Sequence, residues 1–257
     1  MVLLMRARWC RWQVPRLVLA EAGAAYNSLA VTGEEEPSQS LQWRKRSPNG
    51  LLPTASGLGI PRASPISQSG SILRFLGRQF GLAGSVSGTR LDRFQLIPMR
   101  GGYPAEIDAC GCQTPTEEVA ADVMYETAKD LGSNKKVVVE YEEGGEKAES
   151  AKMPWALALR LEKMLLLAPA PQEPSSALTY GQLQLFHTLT LMDRSKPGCV
   201  ATLSEGLEVF RVATAARERV AAYLAGPLRY PATCGELGQE GGYNYATGPI
   251  ARKDLTL

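Results

Sequence analysis

Residues 2–31 restrict the fold more than any other stretch. Val2-Leu3-Leu4-Met5 reads as a buried strand and Ala25 to Val31 as a second one, with a helix from Val14 to Ala22 between them. Leu17, Val18 and Ala22 form the inward face of that helix, and Gly23 stops it. A strand, a helix and a strand joined by short connections make a βαβ unit. That unit requires two parallel strands with the helix packed on one face of the sheet.

The second half of the chain carries a different pattern. Thr114-Pro115-Thr116-Glu117-Glu118 is a helix start, with a threonine cap, a proline in the first turn and acids near the positive end of the dipole. Val119, Val123 and Leu131, flanked by Ala120, Met124 and Ala128, are expected to form its inward stripe, ending at Gly132. Met153 to Leu167 reads as a second apolar helix, closed by Pro169, Pro171 and Pro174. Leu178-Thr179-Tyr180-Gly181-Gln182 opens a core helix, in which Gln182 can reach back to the Thr179 N–H as the third member of a capping box. His187 lies in that helix and is expected to be a satisfied imidazole rather than a base. Phe210 to Leu224 is expected to be one further helix before Pro227. The polar run Thr32 to Ser47, the charged run Glu140 to Lys147 and the Gly-rich stretch Phe80 to Gln113 read as loops and a linker.

Composition removes several function classes. A chain of 257 residues with 28 basic and 26 acidic side chains has a net charge of +2, which makes no electrostatic case for nucleic acid or a membrane surface. No apolar run approaches the roughly 18 residues needed to cross a bilayer. Arg6, Arg8, Arg11 and Arg16 precede the first acid, Glu21, as they would in a mitochondrial presequence. The arginines also interrupt any signal-peptide core, and the expectation is a soluble intracellular protein. Five scattered cysteines, Cys10, Cys110, Cys112, Cys199 and Cys234, argue against a disulfide framework. Cys110 and Cys112 stand too close for a zinc knuckle and His187 is the lone histidine, so no metal is expected.

The stretch Ser64 to Arg78 is the most informative for chemistry. A short strand at Ile66-Ser67 turns directly into a helix whose apolar face is Ile72, Leu73, Phe75 and Leu76, with Gln68 or Ser69 at the N-cap. Free backbone N–H groups, the positive dipole end and the Gln68 and Ser69 side chains together would seat a small carboxylate. Read locally, the same residues are an ordinary capped helix.

Ile66-Ser67-Gln68-Ser69-Gly70-Ser71-Ile72-Leu73-Arg74-Phe75-Leu76 resembles the segment that holds the γ-glutamyl end of glutathione in the glutathione transferases. Arg16 to Tyr26 resembles the first helix and second strand of the same family, and Arg219 to Pro227 its penultimate helix. The resemblance covers about two-thirds of the chain and is nearest to the sigma- and mu-like members. It implies a thioredoxin-like α/β domain at residues 1–82, a linker or insertion at 83–113, an all-helical domain at 114–228 and an extension at 229–257, for which the sequence offers no reading.

What the resemblance implies for the site follows residue by residue. Gln68 and Ser69 hold the γ-glutamyl group. Trp43 and Lys45 lie over the glycine carboxylate, a role that Arg44 or Arg46 could also serve. Leu52-Pro53 resembles the cis-proline turn whose backbone pairs with the peptide, Pro61 being the rival; Thr54 to Ser64 is then an enlarged hairpin loop. Asp122 falls where relatives carry an acid that reaches across a homodimer to the glutathione amine.

The first strand departs from the pattern. Where sigma- and mu-like members end it with a tyrosine, this chain has Met5, while Arg11 falls on the supporting arginine and Cys10 on a loop glycine. A thiolate must then be stabilised by Arg11 and backbone N–H groups, or Cys10 itself forms mixed disulfides with glutathione, its pKa lowered by Arg8, Arg11 and the helix start. The expected activity is cytoplasmic, detoxifying transfer of glutathione's sulfur to an apolar electrophile. The alternatives are a non-catalytic glutathione-binding relative and a Cys10-dependent thiol transferase.

Overall fold

A computed structural model describes residues 2–6, 13–30, 45, 47–49, 54–56, 65–84, 117–134, 148–167, 178–226, 242–244 and 248–250. The fold is mostly helical around one mixed sheet. β1 (Val2–Arg6), α1 (Gln13–Glu21) and β2 (Tyr26–Ala30) are the βαβ unit expected from sequence, and β1 and β2 pair in parallel with Val2 opposite Tyr26 and Arg6 opposite Ala30. The other edge of β1 takes β3 (Thr54–Ser56) antiparallel, and β3 in turn takes β4 (Ile66–Ser67). Thr54, Ala55 and Ser56 were expected in a loop. They are a strand because β1 still has an edge of backbone donors and acceptors to pair after β2 has taken the first.

The sheet does not end at β2. β5 (Gly242–Asn244) and β6 (Gly248–Ile250) form an antiparallel pair, and β5 lies antiparallel on the outer edge of β2 with Tyr243 opposite Tyr26. The strand order is therefore β4-β3-β1-β2-β5-β6. Pro249 lies in the terminal strand, where a missing N–H costs no ladder bond.

α1 is buried along its whole length, including Gln13, Arg16 and Glu21. It ends as the sequence predicts. Gly23 takes φ 66°, the Gly23 N–H bonds the Ala20 carbonyl at 2.9 Å and the Ala24 N–H bonds the Leu19 carbonyl at 2.8 Å. The remaining helices are α2 (Ser69–Gln79), α3 (Glu117–Ser133), α4 (Ala148–Leu167), α5 (Tyr180–Ser195), α6 (Cys199–Leu203), α7 (Glu205–Ala216) and α8 (Glu218–Ala225). α5 is the central one. Its Leu183 and Phe186 belong to a core shared with α1, α2 and α8, while Leu185, Leu189 and Met192 belong to a second core shared with α3, α4 and α7. The capping box forms as expected, with the Gln182 N–H bonded to Thr179 Oγ1 at 3.2 Å and the Thr179 N–H to Gln182 Oε1 at 2.8 Å. His187 is buried in the same helix.

Three expectations need correction. The inward face of α3 is Ala121, Met124, Tyr125, Ala128 and Leu131, while Val119 and Val123 are each 48% exposed. Both stripes have helical spacing, and the neighbouring α5 covers the one that brings Gly181 against Ala121. α4 begins at Ala148, five residues before Met153. The single helix expected from Phe210 to Leu224 is two, broken at Arg217, whose ψ of 134° is extended. The break turns the Arg217 guanidinium onto Glu21 of α1.

Candidate functional site

The junction of β4 and α2 is set by one unusual residue. Gln68 has φ 71° and ψ 125°, and it is the one non-glycine residue with positive φ among those described. L-residues rarely adopt such backbone, which costs on the order of 1–3 kcal/mol where surrounding structure enforces it. Gln68 is the N-cap of α2, yet its side chain makes no capping bond and is exposed. The first intrahelical bond runs from the Ile72 N–H to the Gln68 carbonyl at 3.0 Å. The N–H groups of Ser69, Gly70 and Ser71 are thus the orphan donors of the helix start.

The helix is anchored below these donors. Ile72, Leu73 and Leu76 are buried, and a Cβ on Gly77 would lie 2.5 Å from Tyr180 Cδ1, so only glycine lets α2 approach α5 so closely. Arg74 fastens the same helix to α3, donating from Nε to Asp122 Oδ1 at 2.7 Å and from Nη2 to Glu126 Oε1 at 2.6 Å. The Tyr180 hydroxyl donates to Asp122 Oδ1 at 3.0 Å. Lys129 Nζ completes the group at 2.9 Å from Glu126 Oε2. Tyr125 lies in the middle, its ring 5.5 Å from the Arg74 guanidinium carbon, 5.8 Å from Lys129 Nζ and edge-on to Tyr180 at 6.0 Å.

Electrostatics follow from that geometry. The Asp122 carboxylate, with Glu126 beside it, holds Arg74 above its ordinary pKa against the opposing effect of burial. Burial, with Asp122 as acceptor, pushes the Tyr180 phenol up as well. Burial likewise raises Tyr125, against the opposing charge of Lys129. Both phenols keep their hydrogens.

α1 is gripped at each end by the last two helices. At its start Gln13 Oε1 accepts from the Tyr223 hydroxyl, while the buried Gln13 Nε2 has no hydrogen-bond partner among the described residues. At its end the buried Glu21 carboxylate accepts from the Arg217 guanidinium and from the Leu178 N–H at 3.3 Å, and Arg219 Nη1 donates to the Glu21 carbonyl at 2.8 Å.

Of the residues singled out in the sequence, the structure joins Asp122 to Arg74 and Tyr180 in one polar group, and Ser69 opens α2 one residue before Gly70, against which the Tyr125 hydroxyl stands. Met5 stands in β1 opposite Leu29 and Thr54, and Lys45 is exposed. Cys10, Arg11, Trp43, Leu52, Pro53 and Pro61 lie outside the described residues. Tyr125 and Glu126 were not singled out, although Glu118, Asp122, Tyr125, Glu126 and Lys129 recur at helical spacing and mark one polar face of α3. Among the described residues no group of His, Cys, Asp and Glu could hold a metal, and no helix is long and apolar enough to cross a membrane.

Solved structures similar to this chain include several glutathione S-transferases, and the chain has their fold. A sigma-class enzyme of Fasciola hepatica superposes with a TM-score of 0.59 at 19% identity, over 87% of this chain and 94% of that one. A glutathione S-transferase of Caenorhabditis elegans matches with a TM-score of 0.59 at 19% identity, over 87% and 96%. A Pi-class enzyme of Onchocerca volvulus follows with a TM-score of 0.58 at 18% identity, over 86% and 91%. No family model matches the chain, and no curated protein is significantly similar to it.

Proposed function

We propose that the chain binds glutathione at the β4–α2 junction and transfers its sulfur to an apolar electrophile. The observation that carries this reading is the strained backbone of Gln68, held at φ 71° directly before a helix start with uncapped donors. Strain of this kind persists where a ligand site requires a particular backbone direction. The γ-glutamyl carboxylate would accept from Ser69 and the first N–H groups of α2, with the dipole favouring its charge. Asp122 takes both of its bonds on Oδ1, which leaves Oδ2 to face the glutathione amine across a homodimer. Lys45 and Trp43 would meet the glycine carboxylate, and the Leu52-Pro53 backbone would pair with the cysteinyl peptide.

The strand order β4-β3-β1-β2, with α1 and α2 beside it, supports a thioredoxin-like domain at residues 1–82. The linker 83–113 and an all-helical domain at 114–228 complete the reading. In the transfer step the glutathione thiol gives its proton to solvent. The thiolate lone pair then forms the S–C bond, and the leaving group, a halide for an aryl halide, departs with the C–X pair. Arg11 and the N-terminus of α1 are the groups that would favour the thiolate. A cytoplasmic detoxifying enzyme fits this chemistry.

A second reading is favoured by one feature of the sequence. Residues 1–12 contain no Ser, Thr or Tyr, so no side-chain hydroxyl ends the first strand. Under that reading the chain binds glutathione without conjugating it, or Cys10 exchanges disulfides with it. Calorimetric titration with glutathione followed by an aryl-halide conjugation assay on the wild type, Cys10→Ser and Gln68→Ala separates the three. Binding with turnover that survives Cys10→Ser supports conjugation. Binding without turnover leaves the non-catalytic reading, and affinity indifferent to Gln68→Ala rejects the site.

A further inference from the structure

We propose that Asn49 is a site of spontaneous modification, where the Ser47 hydroxyl promotes attack of the Gly50 nitrogen on the Asn49 side-chain amide and so converts Asn49 to aspartate and isoaspartate. The modification stands independently of any ligand. Its consequence for binding rests on the glutathione reading.

Asn49 is exposed in a turn, while Ser47, two residues earlier, is 6% exposed. The Ser47 hydroxyl donates to Asn49 Oδ1 at 2.9 Å, so the side-chain carbonyl is polarised by a donor shielded from water. Pro48 between them has a fixed φ, which limits how far the two can part. The residue after Asn49 is Gly50, which has no Cβ to hinder the approach of its own nitrogen to the amide carbon. Of the four asparagines in the chain, Asn49 alone precedes a glycine. Asn27 and Asn244 are held in β2 and β5, opposite Leu3 and Gly248, and Asn134 Nδ2 donates to the Asp130 carbonyl at 2.9 Å.

The reaction balances with water as its one co-reactant. The Gly50 nitrogen gives its proton to solvent and bonds to Asn49 Cγ, and the carbonyl pair moves onto Oδ1 as an oxyanion. Ser47 Oγ lies at the distance from which a donor stabilises such an oxyanion, and its bond tightens as the charge builds. When the oxyanion collapses, the Cγ–Nδ2 bond breaks and the nitrogen takes a proton and leaves as ammonia. Water then opens the cyclic imide. Attack at Cγ gives aspartate, and attack at the main-chain carbonyl gives isoaspartate, which routes the backbone through the side-chain carbon. Either product adds a negative charge between Lys45 and Leu52-Pro53, the residues proposed to meet the glycine carboxylate and the cysteinyl peptide of glutathione.

Peptide mapping by mass spectrometry on the full-length chain, aged at neutral pH, tests the modification. Asn49 is expected to convert while Asn27, Asn134 and Asn244 persist, and to convert faster in the folded chain than in urea. Ser47→Ala is expected to slow the folded chain about tenfold, as for the loss of one hydrogen bond to a developing charge, and to leave the rate in urea unchanged. Conversion no faster folded than in urea overturns the proposal without recourse to a variant. A Ser47→Ala rate equal to or above wild type, or a slowing that persists in urea, overturns it as well. Converted chain, separated by ion exchange, is expected to bind glutathione at least roughly 3-fold more weakly in calorimetry. Unchanged affinity overturns the consequence for the ligand. Wild type that binds no glutathione overturns the glutathione reading, while the conversion rates still decide the modification.

Discussion

Arg74 of α2 donates from Nη2 to Glu126 Oε1 of α3 across 2.6 Å, and this contact makes part of the stability of the α2–α3 joint dependent on pH. Burial by itself would raise the Glu126 pKa, but hydrogen bonds from Lys129 and Arg74 outweigh it and hold the carboxyl below its ordinary value. A carboxylate whose pKa is depressed on folding contributes stability above its unfolded pKa and loses that contribution as pH falls through the folded one. The side chains are 32% and 43% exposed, so solvent screening limits the effect to about 0.5 kcal/mol. Wild type is therefore expected to be more stable than Glu126→Gln to urea at pH 7, and the difference is expected to shrink and vanish as acidification protonates the carboxyl through its depressed folded-state pKa. A difference that grows on acidification would contradict the assignment.

Gly181 marks the tightest approach of α5 to α3. A Cβ at this position would lie 2.2 Å from the Ala121 carbonyl oxygen and 3.0 Å from its carbon, and neither backbone atom can swing aside as a side chain would. Gly181→Ala is expected to force the helices apart at a cost of about 3 kcal/mol, lowering Tm by roughly 10 °C. Differential scanning calorimetry reads it directly.

Strain at Gln68 separates stability from binding. Glycine adopts φ 71° without penalty, whereas alanine keeps the Cβ that makes this backbone unfavourable. Gln68→Gly is expected to be more stable than Gln68→Ala by about 1 kcal/mol in equilibrium denaturation. Both are expected to bind glutathione more weakly than wild type, the glycine variant because its turn is no longer held in one conformation.

The C-terminal pair of strands guards the sheet edge. Deleting residues 229–257 removes β5 from β2 while leaving the β1–β2 ladder in place. Hydrogen exchange is expected to accelerate roughly tenfold at the β2 amides that face β5, and to stay slow at those that face β1. An exposed β2 edge is also expected to promote association, visible as a rising apparent mass in light scattering with concentration.

The elements legible in the sequence are those whose signals lie within a few residues of each other. Gly23 as a helix stop, the Thr179–Gln182 capping box and the turn from Ile66-Ser67 into α2 each depend on three or four neighbouring residues. The exposed Val119 and Val123 show the limit of periodicity. α3 carries two apolar stripes of helical spacing, and the sequence does not tell which one a neighbour covers. The candidate site divides in the same way: Gln68 and Ser69 were visible as a helix start, but the φ of Gln68 and the approach of Tyr125 were not.

By itself the sequence determined the βαβ start, the helical second half and the placement of an anion-seating helix start after Ile66-Ser67, because alternation, helical period and capping are local and need no knowledge of neighbours. Tertiary structure decided the rest. It set Arg217 of the α7–α8 break on the buried Glu21 of α1, drew Asp122 to Arg74 and Tyr180, and laid residues 242–244 on the edge of β2. Each is a partner brought from far along the chain to a buried charge, a polar group or an open backbone edge. Such groups must be satisfied wherever they are buried, and only the packed assembly determines which distant residue satisfies them.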